Sequence, residues 1–118
     1  MSEWIFNRNG QPKLLFDQDC IRNNSGQVIA YINNTNIHTM KGQHMGWFES
    51  GIFYDSANKA IGFLKNRIGT LPSTPGLAGS PGIPGFAGKP GRPGLGGAPG
   101  KPGRGGWSSN DLVAYFTI

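Results

Sequence analysis

One cysteine, six acidic residues and no long apolar run set the first limits on this chain of 118 residues. A lone Cys20 cannot build an intrachain disulfide framework, so the fold is not stapled in the manner of small secreted domains. It sits level with Trp4 and Ile52 in the units described below, a slot that suits a small buried apolar residue. No stretch approaches the roughly 18 consecutive apolar residues of a membrane-spanning helix. The opening Met1-Ser2-Glu3-Trp4-Ile5-Phe6 has no basic segment leading into an apolar one, so neither a secretory signal nor a membrane partner is expected. Cytoplasmic residence is the default reading, with export by a signal-less route left open. Without a secretory signal, Asn23-Asn24-Ser25 and Asn33-Asn34-Thr35 carry no weight as glycosylation sites. Proline and glycine are sparse before residue 68 and dense after it, which marks a boundary.

Residues 4 to 67 contain four tandem copies of a 16-residue unit in one unbroken register. Gly10, Gly26, Gly42 and Asn58 recur at that spacing, as do Ile5, Ile21, Ile37 and Phe53. Phe16, Ile32, Phe48 and Leu64 form a third series, preceded by Leu15, Tyr31, Trp47 and Phe63. A fixed period means that each unit buries its apolar face only when its neighbours stack on it. The turn positions read Asn7-Arg8-Asn9-Gly10, Asn23-Asn24-Ser25-Gly26, Thr39-Met40-Lys41-Gly42 and Asp55-Ser56-Ala57-Asn58. A first residue whose side chain accepts a backbone hydrogen bond, and a last one that tolerates positive φ, specify a type I turn closing a β-hairpin. Asn58 is the one departure from glycine, and asparagine is the best substitute there.

After each turn, apolar residues run on adjacent positions, as in Ile29-Ala30-Tyr31-Ile32 and Met45-Gly46-Trp47-Phe48. Strict alternation would leave one face polar; these strands are packed on both faces. The small residues Ala30, Gly46 and Gly62 mark close approach by another chain segment. Four hairpins around a pseudo-four-fold axis, eight short strands in all, would shelter most strand edges. The fold class is therefore all-β. Pro12 cannot donate to a ladder, which places it at an edge or at the first residue of its strand.

The pattern of apolar residue, Asn or Asp turn, Gly, then Ile-Gly-Trp/Phe-Phe, four times over and followed by a Pro-Gly-rich tail, resembles the bacterial four-fold β-flower proteins. The resemblance implies the fold and supplies no catalytic residue or cofactor.

The expected organisation is a head at 1–67, a linker at 68–75, an arm at 76–106 and a short apolar segment at 107–118. From Gly76 to Gly106, glycine holds every third position, giving ten Gly-X-Y triplets with Pro81, Pro84, Pro90, Pro93, Pro99 and Pro102 in the Y slot. That pattern specifies extended, collagen-like polyproline II geometry, about 90 Å long at about 3 Å per residue. Three packings fit: a triple helix between three copies, an arm lying on the β-domain, or a solvated spacer. The apolar X-slot residues Leu77, Ile83, Phe86 and Leu95 lean toward docking. Residues 108–118 read equally as a short helix or a closing strand.

Of the acids Glu3, Asp17, Asp19, Glu49 and Asp55, Asp17 and Glu49 match in unit position where a hairpin ends, and no general acid–base pair forms. His38 and His44 flank the third turn; surface imidazoles are the favoured reading, with a metal held between them and one carboxylate the sharper one. No nucleophile-and-base setting and no phosphate loop occurs. The chain is expected to be a non-catalytic structural or protein-interaction module without a cofactor, acting as a homo-oligomer (a trimer if the arm is triple-helical) or with another protein. The alternative is a module binding glycans or anionic polymers through Trp47, Tyr54, Trp107, Lys89, Arg92, Lys101 and Arg104. Nucleic acid is disfavoured, because residues 68–118 carry four cations against Asp111, a weak +3.

Overall fold

Asn7, Asn23, Thr39 and Asp55 each close a tight turn with the same pair of side-chain contacts. Asn7 Oδ1 accepts from the backbone N–H of Asn9 and of Gln11, both at 3.0 Å. Asp55 Oδ1 does the same for Ala57 at 2.9 Å and Lys59 at 3.0 Å. The closing residues Gly10, Gly26, Gly42 and Asn58 lie at φ 76°, 84°, 84° and 59°. In the computed structural model, which describes residues 2–91, 94, 96–97, 99–103 and 105–117, these turns join strands that close on themselves.

The strands are β1 (Ser2–Phe6), β2 (Pro12–Asp17), β3 (Cys20–Arg22), β4 (Val28–Asn33), β5 (Asn36–Thr39), β6 (His44–Glu49), β7 (Ile52–Tyr54) and β8 (Ala60–Leu64). Each pairs antiparallel with the next, and β1 with β8 through Ile5↔Leu64 and Phe6↔Phe63, giving a closed all-β barrel. Pro12 opens β2, where no ladder hydrogen bond is asked of it. Register shifts fall at Ile5/Phe6, Ile21/Arg22, Ile37/His38 and Phe53/Tyr54. Bulges of this kind bend and twist the strands, which closing so short a sheet requires. The two-residue links after β2, β4 and β6 place Gln18, Asn34 and Ser50 at φ 58°, 57° and 55°.

Both faces of the sheet are covered. Inside lie Ile5, Leu14, Ile21, Ala30, Ile37, Phe53 and Ile61, joined by Leu112 and Phe116. Outside, Trp4, Phe6, Leu15, Trp47, Ile52, Tyr54 and Phe63 form a second cluster with Leu71, Phe86 and Trp107. A Cβ at Gly46 would come within 1.9 Å of Tyr54 O, and one at Gly62 within 2.9 Å of Leu112 Cδ1. These glycines admit a neighbouring backbone and the terminal helix respectively.

Leu112–Phe116 is a helix, α1, which settles the ambiguity of the C-terminal segment. Asp111 Oδ2 caps it by accepting from Ala114 N at 3.0 Å. Tyr115 ties it down at the barrel mouth: its hydroxyl donates to Met45 O at 2.6 Å and accepts from Ser56 N at 2.8 Å. Among the described residues no helix is long and apolar enough to cross a membrane.

Candidate functional site

The outer face of the barrel is where the Gly-X-Y segment runs, and backbone groups join the two at three of the turns. Ala78 N donates to Gly10 O at 2.9 Å, Ala87 N to Gly26 O at 3.1 Å and Gly96 N to Gly42 O at 2.7 Å. The donors are nine residues apart and the acceptors sixteen, so three triplets of segment span one unit of barrel. Proline has no N–H to give. The Y slot is proline except at Ala78, Ala87, Gly96 and Gly105, and the first three of these give their N–H to a turn carbonyl. That break in the proline pattern is visible in the sequence, and it reads as docking once the turn carbonyls are known.

Barrel side chains reach the carbonyls of the segment in return. Trp4 Nε1 donates to Pro81 O at 3.0 Å, Arg22 Nη1 to Ala87 O at 2.7 Å and Asn58 Nδ2 to Pro102 O at 2.8 Å. Tyr31 OH donates to Pro90 O, and His38 Nε2 lies 2.9 Å from Gly96 O. Arg22 is the hub. It is 3% exposed, its Nε is 3.0 Å from Asp17 Oδ2, its Nη1 also donates to Gly26 O at 2.7 Å, and its guanidinium lies 4.4 Å over the Phe86 ring.

The turn glycines serve this surface twice. Their left-handed φ disfavours a side chain, and a Cβ at Gly10 or Gly26 would sit 1.9 Å from Gly76 O or 2.2 Å from Gly85 O. The glycines of the segment differ. A Cβ added to Gly79, Gly82, Gly85, Gly88, Gly91 or Gly100 would meet nothing within 4 Å. The barrel accounts for the Y slot and leaves the glycine edge facing outward.

Trp47 and Tyr54 are buried at 3% and 4% exposure, so neither offers a free ring face. Trp107 is half-buried and donates Nε1–H to Ser73 Oγ at 2.9 Å. Lys89 pairs with Asp19 at 2.6 Å, a hydrogen bond that raises the lysine pKa, and Lys101 pairs with Glu49. Arg92 and Arg104 lie outside the described residues, as does Leu95. Leu77 and Ile83 stay 42% and 47% exposed, whereas Phe86 packs on the barrel. Cys20 is fully buried, and that burial pushes its thiol pKa up.

Among the described residues no three His, Cys, Asp or Glu side chains gather in a way that could hold a metal. A cleft of about 480 Å³ between Trp4, Lys13, Asn23, Asn24 and Pro84 has Lys13 as its one titratable lining group. The surface-imidazole reading fails for His38, which is 3% exposed because the segment covers it.

His44 is held below the ordinary imidazole value of 6.5, first by burial and then by the neighbouring His38. The unfolded chain takes up this proton near 6.5 and the folded barrel only at lower pH, so stability is full above that value and declines below it. Urea midpoints of the wild type should fall between pH 7.5 and pH 5 more steeply than those of His44→Val. Parallel curves would remove His44 as the cause.

A family model described as "4-fold beta flower protein" matches residues 3–116, while no curated protein and no solved structure matches the chain.

Proposed function

The chain belongs to the 4-fold β-flower family, and from that premise we propose that it works as a non-catalytic structural or protein-interaction module. In this reading four hairpins stand around a pseudo-four-fold axis as a rigid head. The Gly-X-Y segment is an arm in polyproline II geometry, docked on that head and presenting its free edge to a protein partner. A second copy of the chain is the first candidate.

The single observation that carries the proposal is the division of labour along the arm. Its Y-slot amides and several of its carbonyls are used up by the barrel. A Cβ built on its regularly spaced glycines, among the described residues, would meet nothing in the same chain. Glycine at every third position of a polyproline II strand is needed where another backbone packs against that edge. A solvated edge has no use for it, since glycine adds backbone freedom to the unfolded chain.

Replacing both Gly82 and Gly88 with alanine separates folding from association. Neither position carries positive φ or a nearby atom, so thermal stability of the isolated chain should hold or rise by about 0.4–1 kcal/mol per site. Sedimentation should show the wild type self-associating with rising concentration and the double variant remaining a monomer. A wild type that stays monomeric throughout would sink the second-copy reading.

Binding of glycans or anionic polymers has less support. Trp47 and Tyr54 are covered, and Lys89 and Lys101 already face Asp19 and Glu49.

A further inference from the structure

His38 and His44 are cross-strand partners, β5 against β6, with ring centroids 5.1 Å apart and planes at 86°. The partners of their Nε2 atoms fix how each ring is protonated. His38 Nε2 lies 2.9 Å from Gly96 O and His44 Nε2 lies 3.0 Å from Asn36 Oδ1. Both partners are oxygens that only accept, so each Nε2 carries the hydrogen and each Nδ1 presents a bare lone pair. Both Nδ1 atoms are buried and have no hydrogen-bond partner.

Leaving a buried acceptor unsatisfied costs about 1–3 kcal/mol, and here each ring of one cross-strand pair carries one. A single electron-pair acceptor shared by the two nitrogens answers both deficits. The outer contacts match this: metal-bound histidines characteristically donate their other ring N–H to a carbonyl or carboxylate, which fixes tautomer and orientation.

We propose that His38 and His44 hold one soft monovalent d10 cation, of the copper(I) class, through their two Nδ1 atoms. Zinc in a protein site wants four ligands, or three plus water, and calcium and magnesium want six or more oxygens. Among the described residues no third His, Cys, Asp or Glu joins the pair. Two neutral nitrogens whose lone pairs are shielded from solvent suit an ion content with two-coordination. Trp47, its ring 5.0 Å from that of His44, walls one side, and the arm at Gly96 closes over His38. This inference concerns the third unit alone and does not depend on what the glycine edge binds.

The experiment uses the full chain without oxygen, titrated with copper(I), and with silver(I) as a redox-silent counterpart. Long-range ¹H–¹⁵N histidine spectra report each Nδ1. Saturation at one ion per chain is expected, with both Nδ1 resonances moving together. His38→Phe and His44→Val copy residues at the same positions in other units, Phe6 and Val28, so both variants should fold. Each should weaken binding at least about 100-fold, since even the outer partners of metal ligands are worth 10–100-fold. Cys20→Ser should leave affinity unchanged. Uptake that survives the histidine variants or disappears with Cys20→Ser would overturn the proposal. So would Nδ1 resonances that stay fixed at one equivalent.

Discussion

Alanine at Gly26 should destabilise the protein by about 3 kcal/mol and lift the arm from the second unit. Two independent terms add here. Gly26 sits at φ 84°, where an L side chain costs roughly 1–2 kcal/mol. The new Cβ would lie 2.2 Å from Gly85 O, a backbone atom that cannot swing aside as a side-chain tip could. The arm must then move, and the Ala87 N–Gly26 O bond goes with it, about 1 kcal/mol more. Arg22 also loses its reach to Ala87 O. The checks are a lower urea midpoint and loss of hydrogen-exchange protection at the Ala87 amide. Unchanged protection there would show that the arm does not depend on this turn. The matching change in the arm, Gly82→Ala, meets open space and should be close to neutral, so glycine is essential on one partner's side of the contact only.

Phe53→Ala should have the largest effect of any single truncation. Phe53 is fully buried, its ring 4.5 Å from that of Phe48 and 6.1 Å from that of Phe16. It fills the inner position that Ile5, Ile21 and Ile37 hold in the other units. Emptying a phenylalanine site in a core costs about 3–5 kcal/mol, against a total stability of about 5–15 kcal/mol for a domain. At about 4 °C per kcal/mol the melting temperature should drop by at least about 12 °C. Phe53→Leu, which keeps most of the volume, should recover more than half of the loss. A fall of only a few degrees for the alanine variant would mean the inner cluster is not what holds the barrel closed.

What could be read in advance follows a simple rule: features repeated along the chain were legible, and features set by contact between distant segments were not. Four turns with one shared chemistry announced an all-β fold, and Ala30, Gly46 and Gly62 announced close approach. Gln18 and Ser50 gave no such sign, because neither residue type favours the left-handed region and the two-residue links impose their positive φ from outside. The packing of the Gly-X-Y segment was ambiguous because polyproline II makes no internal hydrogen bonds, so its sequence is silent about its partner. The non-proline Y positions resolve that only when the turn carbonyls are known. His38 was mistaken for a surface group for the same reason: the backbone that hides it comes from residue 96, which lies 58 positions further along. The helix at Leu112–Phe116 is too short for periodicity to distinguish it from a strand.

The arm meets the turns in chain order, at Gly10, Gly26, Gly42 and then beside Asn58. It thus girdles the barrel much as an iron hoop binds staves, crossing the units whose first and last strands must be kept together. A pull on the two chain ends would first draw α1 from the barrel mouth and then load this hoop, opening one fastening at a time at low force. Only after the last fastening gave way would the sheet itself bear tension, and its strands would then part together.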